Sequence, residues 1–165
     1  MKSALELVSR SPEATRKIGS SLARQLKAGD NIFLVGDLGA GKTCLVQGIA
    51  WGLGISEFAA SPSYILVREL YGRLPLYHAD LYRLDHLEEI ADLGLDDYFY
   101  GGGVTVVEWA EKGAAVLPPE HLEVQIDYLS DSGRSLRMVP YGKRYWELME
   151  DFNSIYPEAE SADCD

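Results

Sequence analysis

The chain has 165 residues, 25% of them charged and 47% apolar, with a formal net charge of −11 from 15 basic and 26 acidic side chains. That length suits one domain with a sizeable core, and no apolar stretch approaches the ~20 residues needed to cross a bilayer. The acidic excess works against non-specific contact with a nucleic-acid backbone, so any role in RNA chemistry is expected to run through protein partners.

The first element signalled is a helix. Ser11-Pro12-Glu13 reads as an N-cap, a proline at the first helical position and acid in the first turn, and Ile18, Leu22, Ala23 and Leu26 follow at helical spacing. Ala28-Gly29-Asp30 ends it. Ile32-Phe33-Leu34-Val35 is a short apolar run, predicting a strand buried on both faces. A glycine-rich loop follows, then a helix over 43–53. Strands are predicted over 64–69 and from Leu74, with a hairpin-like Tyr71-Gly72-Arg73 between them. Residues 85–91 predict a short helix capped by Asp85. Val104-Thr105-Val106-Val107 predicts a second doubly buried strand. An alternating strand over 121–128 pairs with one over 135–139, and a closing helix covers 145–152.

This order predicts an α/β fold of the P-loop NTPase-like type, three-layered, with a mixed, mainly parallel central sheet. Residues 1–156 form the expected single domain. Residues 157–165, with Glu158, Glu160, Asp163 and Asp165, read as an acidic, disordered, solubilising tail. Cys44 and Cys164 lie in unlike contexts and make neither a metal site nor a disulfide framework. Residues 1–10 lack the apolar core of a secretory signal, so a cytoplasmic protein is expected.

Gly36-Asp37-Leu38-Gly39-Ala40-Gly41-Lys42-Thr43 matches G-x-x-x-x-G-K-[ST], between a buried strand and a helix as that motif requires. Glycines let backbone N–H groups converge on phosphate oxygens, and the helix N-terminus adds its dipole. Lys42 can reach the β- and γ-phosphates, and the Thr43 hydroxyl can ligate Mg²⁺. Asp37 and Leu38 fill the variable part of the loop. The sequence therefore predicts binding of a nucleoside triphosphate as its Mg²⁺ complex.

Such loops work with a further acid, usually at the end of an apolar strand. Glu108 ends Val104-Thr105-Val106-Val107, and Asp80 ends Leu76-Tyr77-His78-Ala79. Two acids beside one metal suggest a division of labour: one ligates the metal, the other holds a metal water or orients the attacking water. His78 lies between apolar residues and reads as a packed ring. Trp109 reads as core, lid or partner contact.

The phosphate loop, Ser61-Pro62-Ser63-Tyr64, His78-Ala79-Asp80-Leu81-Tyr82-Arg83-Leu84 and Glu108-Trp109-Ala110-Glu111-Lys112, in that order, resemble the TsaE family of bacterial tRNA threonylcarbamoyladenosine biosynthesis ATPases. The similarity runs from about Ser11 to Val139. Many families share the loop; the other blocks are more specific. The resemblance implies an ATPase, with ATP and Mg²⁺ as ligands, serving the TsaB and TsaD proteins. That pair makes N6-threonylcarbamoyladenosine at position 37 of tRNAs reading codons that start with A. tRNA would be met only through the complex, no membrane is involved, and the TsaE-like protein does not itself transfer the group. Matched residue by residue, Thr43 and Glu108 take the metal positions, and Asp80, with Lys42, takes the catalytic ones. Lys112 and Arg134 take nucleotide contacts, and Ser11 and Thr15 match the segment near the adenine. Ser63 stands where the family usually has threonine, and Cys44 where threonine is common.

Two other readings remain open at this level. A small-molecule kinase shares the loop but needs an acceptor pocket and usually an arginine-rich lid, whereas Arg68, Arg73, Arg83, Arg134, Arg137 and Arg144 are scattered. A non-hydrolysing nucleotide-dependent scaffold would leave Asp80 and Glu108 without chemical roles.

Overall fold

The computed structural model describes residues 4–37, 39–56 and 67–156. The strand expected over 64–69 is described only from Val67. Leu38, the Ser61-Pro62-Ser63-Tyr64 block and the acidic tail lie outside the described residues.

One sheet of seven strands carries the fold, in the order β1-β7-β6-β2-β5-β4-β3. The strands are β1 (Leu5–Ser9), β2 (Asn31–Val35), β3 (Val67–Tyr71), β4 (Pro75–Asp80), β5 (Val104–Glu108), β6 (His121–Tyr128) and β7 (Arg134–Tyr141). β2 pairs in parallel with β5 and β6, and β5 in parallel with β4. Antiparallel β3 and β7 flank this block, and β1 pairs antiparallel to β7. Thus β1, β2, β4, β5 and β6 run one way and β3 and β7 the other, the mixed, mainly parallel sheet expected.

Two helical layers cover the sheet. On one face lie α1 (Pro12–Ala23), α2 (Lys42–Gly52) and α5 (Lys143–Ile155), around a core that includes Ile18, Leu22, Leu45, Ile49, Leu148 and Phe152. The other face carries the short helices α3 (Leu87–Ala91) and α4 (Asp96–Phe99) and a 3₁₀ turn at Ala110–Gly113. Its smaller core holds Phe33, Val107, Leu81, Ile90 and Phe99. The two central strands are apolar throughout because both faces are covered: β5 is buried along its whole length, and β2 everywhere but Val35.

Ser11 caps α1 as expected, its hydroxyl accepting a hydrogen bond from Ala14 N at 3.0 Å. Asp85 does not cap α3. The N-cap position falls on His86, in extended conformation and with no side-chain cap bond. β1, α4 and the 3₁₀ turn had no counterpart in the sequence reading. Among the described residues no helix is long and apolar enough to cross a membrane.

Candidate nucleotide-binding site

β2 delivers the chain to the glycine-rich loop at the carboxyl edge of the parallel strands, the edge where open α/β sheets bind ligands. Gly39 and Gly41 hold φ of 80° and 105°, left-handed values that favour glycine, and they turn the chain sharply into α2. A Cβ on Gly39 would stand 2.8 Å from the Tyr128 hydroxyl. Gly41 is the N-cap of α2 and has no side chain to satisfy the first-turn N–H groups. Those donors are available to an anion. Thr43 sits half-buried in that first turn, and Asp37 is exposed, its carbonyl accepting from Ala40 N at 3.0 Å.

Lys42 is only 4% exposed. Its ammonium donates to Gly36 O at 2.5 Å and lies 3.7 Å from the centre of the Trp109 ring. Burial holds this ammonium below the usual lysine range, against the opposing pull of Glu108, Glu111, Asp80 and Asp37. Among the described residues Lys42 thus contacts a neutral carbonyl and an aromatic face, and the carboxylates of Glu108, Glu111, Asp80 and Asp37 act on it electrostatically.

Asp80 and Glu108 end β4 and β5 and stand opposite each other in register, as Glu108 does with Leu34 of β2. Leu34 packs in the core shared with α1 and α2, so both acids rise on the face of the sheet that carries the loop helix. Asp80 is half-buried, and its Oδ1 accepts from Tyr82 N at 2.9 Å. Glu108 is 3% exposed, and its Oε2 lies 2.5 Å from Nε2 of the fully buried His78.

Directly after Glu108 the backbone breaks from the strand. Trp109 has φ 59°, the one left-handed non-glycine among the described residues. Such a conformation is costly for a bulky side chain and tends to persist where function requires it. Here it turns the indole toward Lys42 and Tyr82, whose ring centre is 5.0 Å away. Lys112 donates to the carbonyls of Tyr82 (2.5 Å) and Leu84 (3.2 Å), bracing the loop that follows Asp80.

Arg134 opens β7 and reaches the other side of the phosphate loop, where Nε donates to Ala40 O at 3.0 Å. Its second arm holds the carbonyls of Ser130, Asp131 and Gly133, and the guanidinium stacks 4.3 Å from the centre of the Tyr128 ring. Arg134 pairs with Ser9 of β1, whose hydroxyl lies 2.6 Å from that of Thr15 and donates to Ser11 O at 2.9 Å. The segment holding Ser11 and Thr15 is therefore tied to the loop through β1 and β7. Thr15 is 2% exposed, so its hydroxyl is spent inside the fold. The structure gathers Gly36, Gly39, Ala40, Gly41, Lys42, Thr43, Asp80, Glu108 and Arg134 around one loop. Lys112 is reached through the Asp80 loop, and Ser11 and Thr15 through Ser9.

Among the described residues no group of three or more His, Cys, Asp or Glu side chains could hold a metal ion. Thr43 and Glu108 supply only a hydroxyl and a carboxylate. Both are hard oxygen donors, and Mg²⁺ needs few protein ligands when phosphates and waters complete its shell. The donor set fits Mg²⁺ arriving with a nucleotide and does not fit a metal held by protein alone.

Sequence reasoning gave His78 a packing role, left Trp109 open and assigned nothing to Glu111 or Tyr128. Burial raises the Glu111 carboxyl above its ordinary range while Lys42 pulls it down, which places a third acid near the lysine. Its signal was position, three residues after Glu108. Nothing in the sequence distinguished Tyr128 from other strand-end aromatics.

The family model "Threonylcarbamoyl adenosine biosynthesis protein TsaE" matches residues 9–136. The tRNA threonylcarbamoyladenosine biosynthesis protein TsaE of Bacillus subtilis (strain 168) is 43% identical over 143 residues, covering 86% of this chain and 89% of the relative. Its namesake from Treponema pallidum (strain Nichols) is 42% identical over 132 residues, covering 80% and 98%. The crystal structure of Bacillus subtilis YdiB superposes with a TM-score of 0.83 at 39% identity, covering 93% of this chain and 97% of that one. With more than half its length matched by the family model and relatives this close, the chain belongs to the TsaE family.

Proposed function

We propose that this protein binds Mg-ATP in the loop 36–43 and hydrolyses it in support of the TsaB–TsaD pair, which forms N6-threonylcarbamoyladenosine at position 37 of tRNAs reading codons that start with A. It does not transfer the threonylcarbamoyl group itself. One observation carries the reading: Lys42 is buried beside the strand-end acids Asp80 and Glu108, all on the face of the sheet that bears α2. A cation and two carboxylates gathered beside vacant helix N–H groups suit a triphosphate and its metal better than they suit a packed core.

Each side chain then has a task. The loop amides and the start of α2 receive the phosphates. Lys42 exchanges the neutral Gly36 carbonyl for charged phosphate oxygens, a stronger, charge-assisted contact. Thr43 and Glu108 would hold Mg²⁺, which when bound neutralises charge developing on the transferred phosphoryl group. Asp80, steadied by Tyr82 N, orients the attacking water. Arg134 braces Ala40 and with it the loop backbone. Lys112 braces the turn after Asp80.

Phosphate release from ATP, measured for this protein alone and with TsaB and TsaD, tests the proposal. Slow release alone and faster release with the partners is expected, because P-loop enzymes often gain ~10³–10⁵ in rate when a partner completes the site. Transfer of phosphate to a metabolite would support a kinase instead, and binding without turnover under both conditions would overturn hydrolysis.

A further inference from the structure

We propose that His78 is a positioning residue for Glu108: it fixes one carboxylate oxygen so that the other is presented to the nucleotide's metal. The inference rests on the Mg-ATP reading above. His78 lies on β4 two residues before Asp80, on the same face of the sheet, and in register with Val106 of β5. From there its ring reaches diagonally across the two strands to Glu108, Nε2 to Oε2 at 2.5 Å, with both side chains buried. An ionised carboxylate can only accept, so Nε2 carries the hydrogen.

Packing against Leu76 and Val106 does not call for an imidazole here. The neighbours of His78 on that face are Leu76 and Asp80 along β4, Arg68 across on β3 and Val106 across on β5; Leu76 and Val106 are fully buried aliphatics. On the Leu76 and Val106 side an aliphatic residue would pack without desolvating a polar ring. The imidazole brings a second cost, since its Nδ1 is buried with no hydrogen-bond partner among the described residues. The residue sits where the aliphatic row gives way to the acids, and the group it meets is the acid at the metal position.

With three side-chain torsions, an untethered glutamate carboxylate could lie flat against the sheet, turn toward Lys42 or face the phosphates. A donor on Oε2 selects one of these arrangements before any ligand arrives. Outer-shell partners of metal ligands act in this way, and losing one typically weakens metal affinity or activity by ~10–100-fold.

The test compares three variants. His78→Gln places an amide N–H near the Nε2 position, His78→Asn is too short to reach Glu108, and His78→Leu fills the space without a donor. ATP binding is measured calorimetrically with EDTA present, and Mn²⁺ binding to the protein–ATP complex by electron paramagnetic resonance. Metal-free ATP affinity is expected to stay near that of wild type for all three, because among the described residues the side chain of His78 bonds to Glu108, the residue at the metal position. Mn²⁺ affinity is expected to fall ~10–100-fold in His78→Leu and His78→Asn and to recover in His78→Gln. If His78→Leu does not fold, the Gln and Asn pair decides. Wild-type Mn²⁺ affinity in the variants without the donor, or equal losses in Gln and Asn, would overturn the inference while leaving the Mg-ATP reading intact. If the wild-type protein shows no Mn²⁺ binding in the presence of ATP, the Mg-ATP reading itself falls, and this inference with it.

Discussion

The two ends of the parallel strands are built on different principles. At the amino end, around the start of β2, buried charge is fully matched. Asp30 takes a two-pronged contact from Arg144, Nε to Oδ1 at 2.9 Å and Nη2 to Oδ2 at 2.7 Å, and a third from Lys27 N at 2.7 Å. Arg144 also donates to Gln25 O, and the neighbouring Tyr145 hydroxyl accepts from Asn31 N at 2.9 Å. These bonds lock α5 to the turn between α1 and β2. The buried atoms at that end without a partner among the described residues, Asn31 Oδ1 and Thr105 Oγ1, are neutral. At the carboxyl end Lys42 is buried against a neutral carbonyl and a ring face, and Glu108 leans on a histidine whose other nitrogen has no partner among the described residues. A site made for stability completes its electrostatics within the chain, whereas a site made for a ligand leaves charge for the ligand to complete.

If that contrast holds, substitutions at the carboxyl end change chemistry and those at the amino end change stability. The largest expected effect is on turnover. Asp80→Asn can still accept from Tyr82 N, so it should fold and bind ATP, while hydrolysis falls ~10²–10⁴-fold, the usual contribution of a positioned acid or base. Partner-stimulated phosphate release measures it. Weak binding with normal turnover at saturating ATP would instead make Asp80 a binding residue.

At the opposite edge, Arg144→Met keeps the aliphatic stem and removes the fork over Asp30. The expected loss is about 3 kcal/mol, the low end for breaking a buried pair, because the Arg144 side chain is still 25% exposed. In a chain of this size that lowers Tm by ~6–12 °C. ATP affinity at a temperature where the variant is folded should match wild type, and a parallel loss of affinity would break the separation of the two ends.

Lys42→Ala sharpens the contrast from the other side. Losing a charge-assisted phosphate contact worth ~1.5–3 kcal/mol corresponds to ~10–150-fold in ATP affinity. Yet removing a cation that burial already disfavours should leave Tm unchanged or raise it. Calorimetry with ATP and a thermal melt on the same sample read both quantities, and a clear drop in Tm with unchanged affinity would give Lys42 to the fold.

How far the sequence reveals this arrangement depends on how local the cause is. β2, the loop and α2 were legible because the glycine spacing and the lysine-threonine pair set backbone angles and phosphate chemistry within one short segment. β5 was legible because Val104-Thr105-Val106-Val107 is β-branched at every position, which favours an extended chain covered on both faces. β1 was not, since Leu5-Glu6-Leu7-Val8-Ser9 becomes a strand only by pairing with β7 from far along the chain. Asp85 looked like a cap, but the chain reaches α3 through His86, and α4, with four residues, is too short for periodicity. The partnership of His78 and Glu108 depends on the register of β4 against β5, which no local pattern encodes. Arg134 was expected at the nucleotide, but its grip on Ala40 O appears only once β7 lies beside the loop. The acids were readable as strand ends; their shared face was not.

The smallest effect, and the one that probes the amino end most finely, concerns Tyr145. Its hydroxyl is buried and accepts the Asn31 N–H, and burial pushes its ionisation from 10.0 up to about 12. The folded state thus favours the neutral phenol. The resulting stability is fully present below pH 10 and is lost as pH rises from 10 toward about 12, because the unfolded chain releases its proton first. Two pH units correspond to about 2.7 kcal/mol at ~1.36 kcal/mol each. Tyr145→Phe leaves the Asn31 N–H buried without an acceptor, which costs about 1–3 kcal/mol at neutral pH. It also removes the alkaline loss, since phenylalanine has no proton to release. Urea unfolding of the two proteins should therefore differ by that amount at pH 7 and converge near pH 12, the other tyrosines contributing equally to both. A constant gap across the range would mean that the hydroxyl is not held neutral by burial. A change in ATP affinity at pH 7 would mean that the two ends of the sheet are coupled.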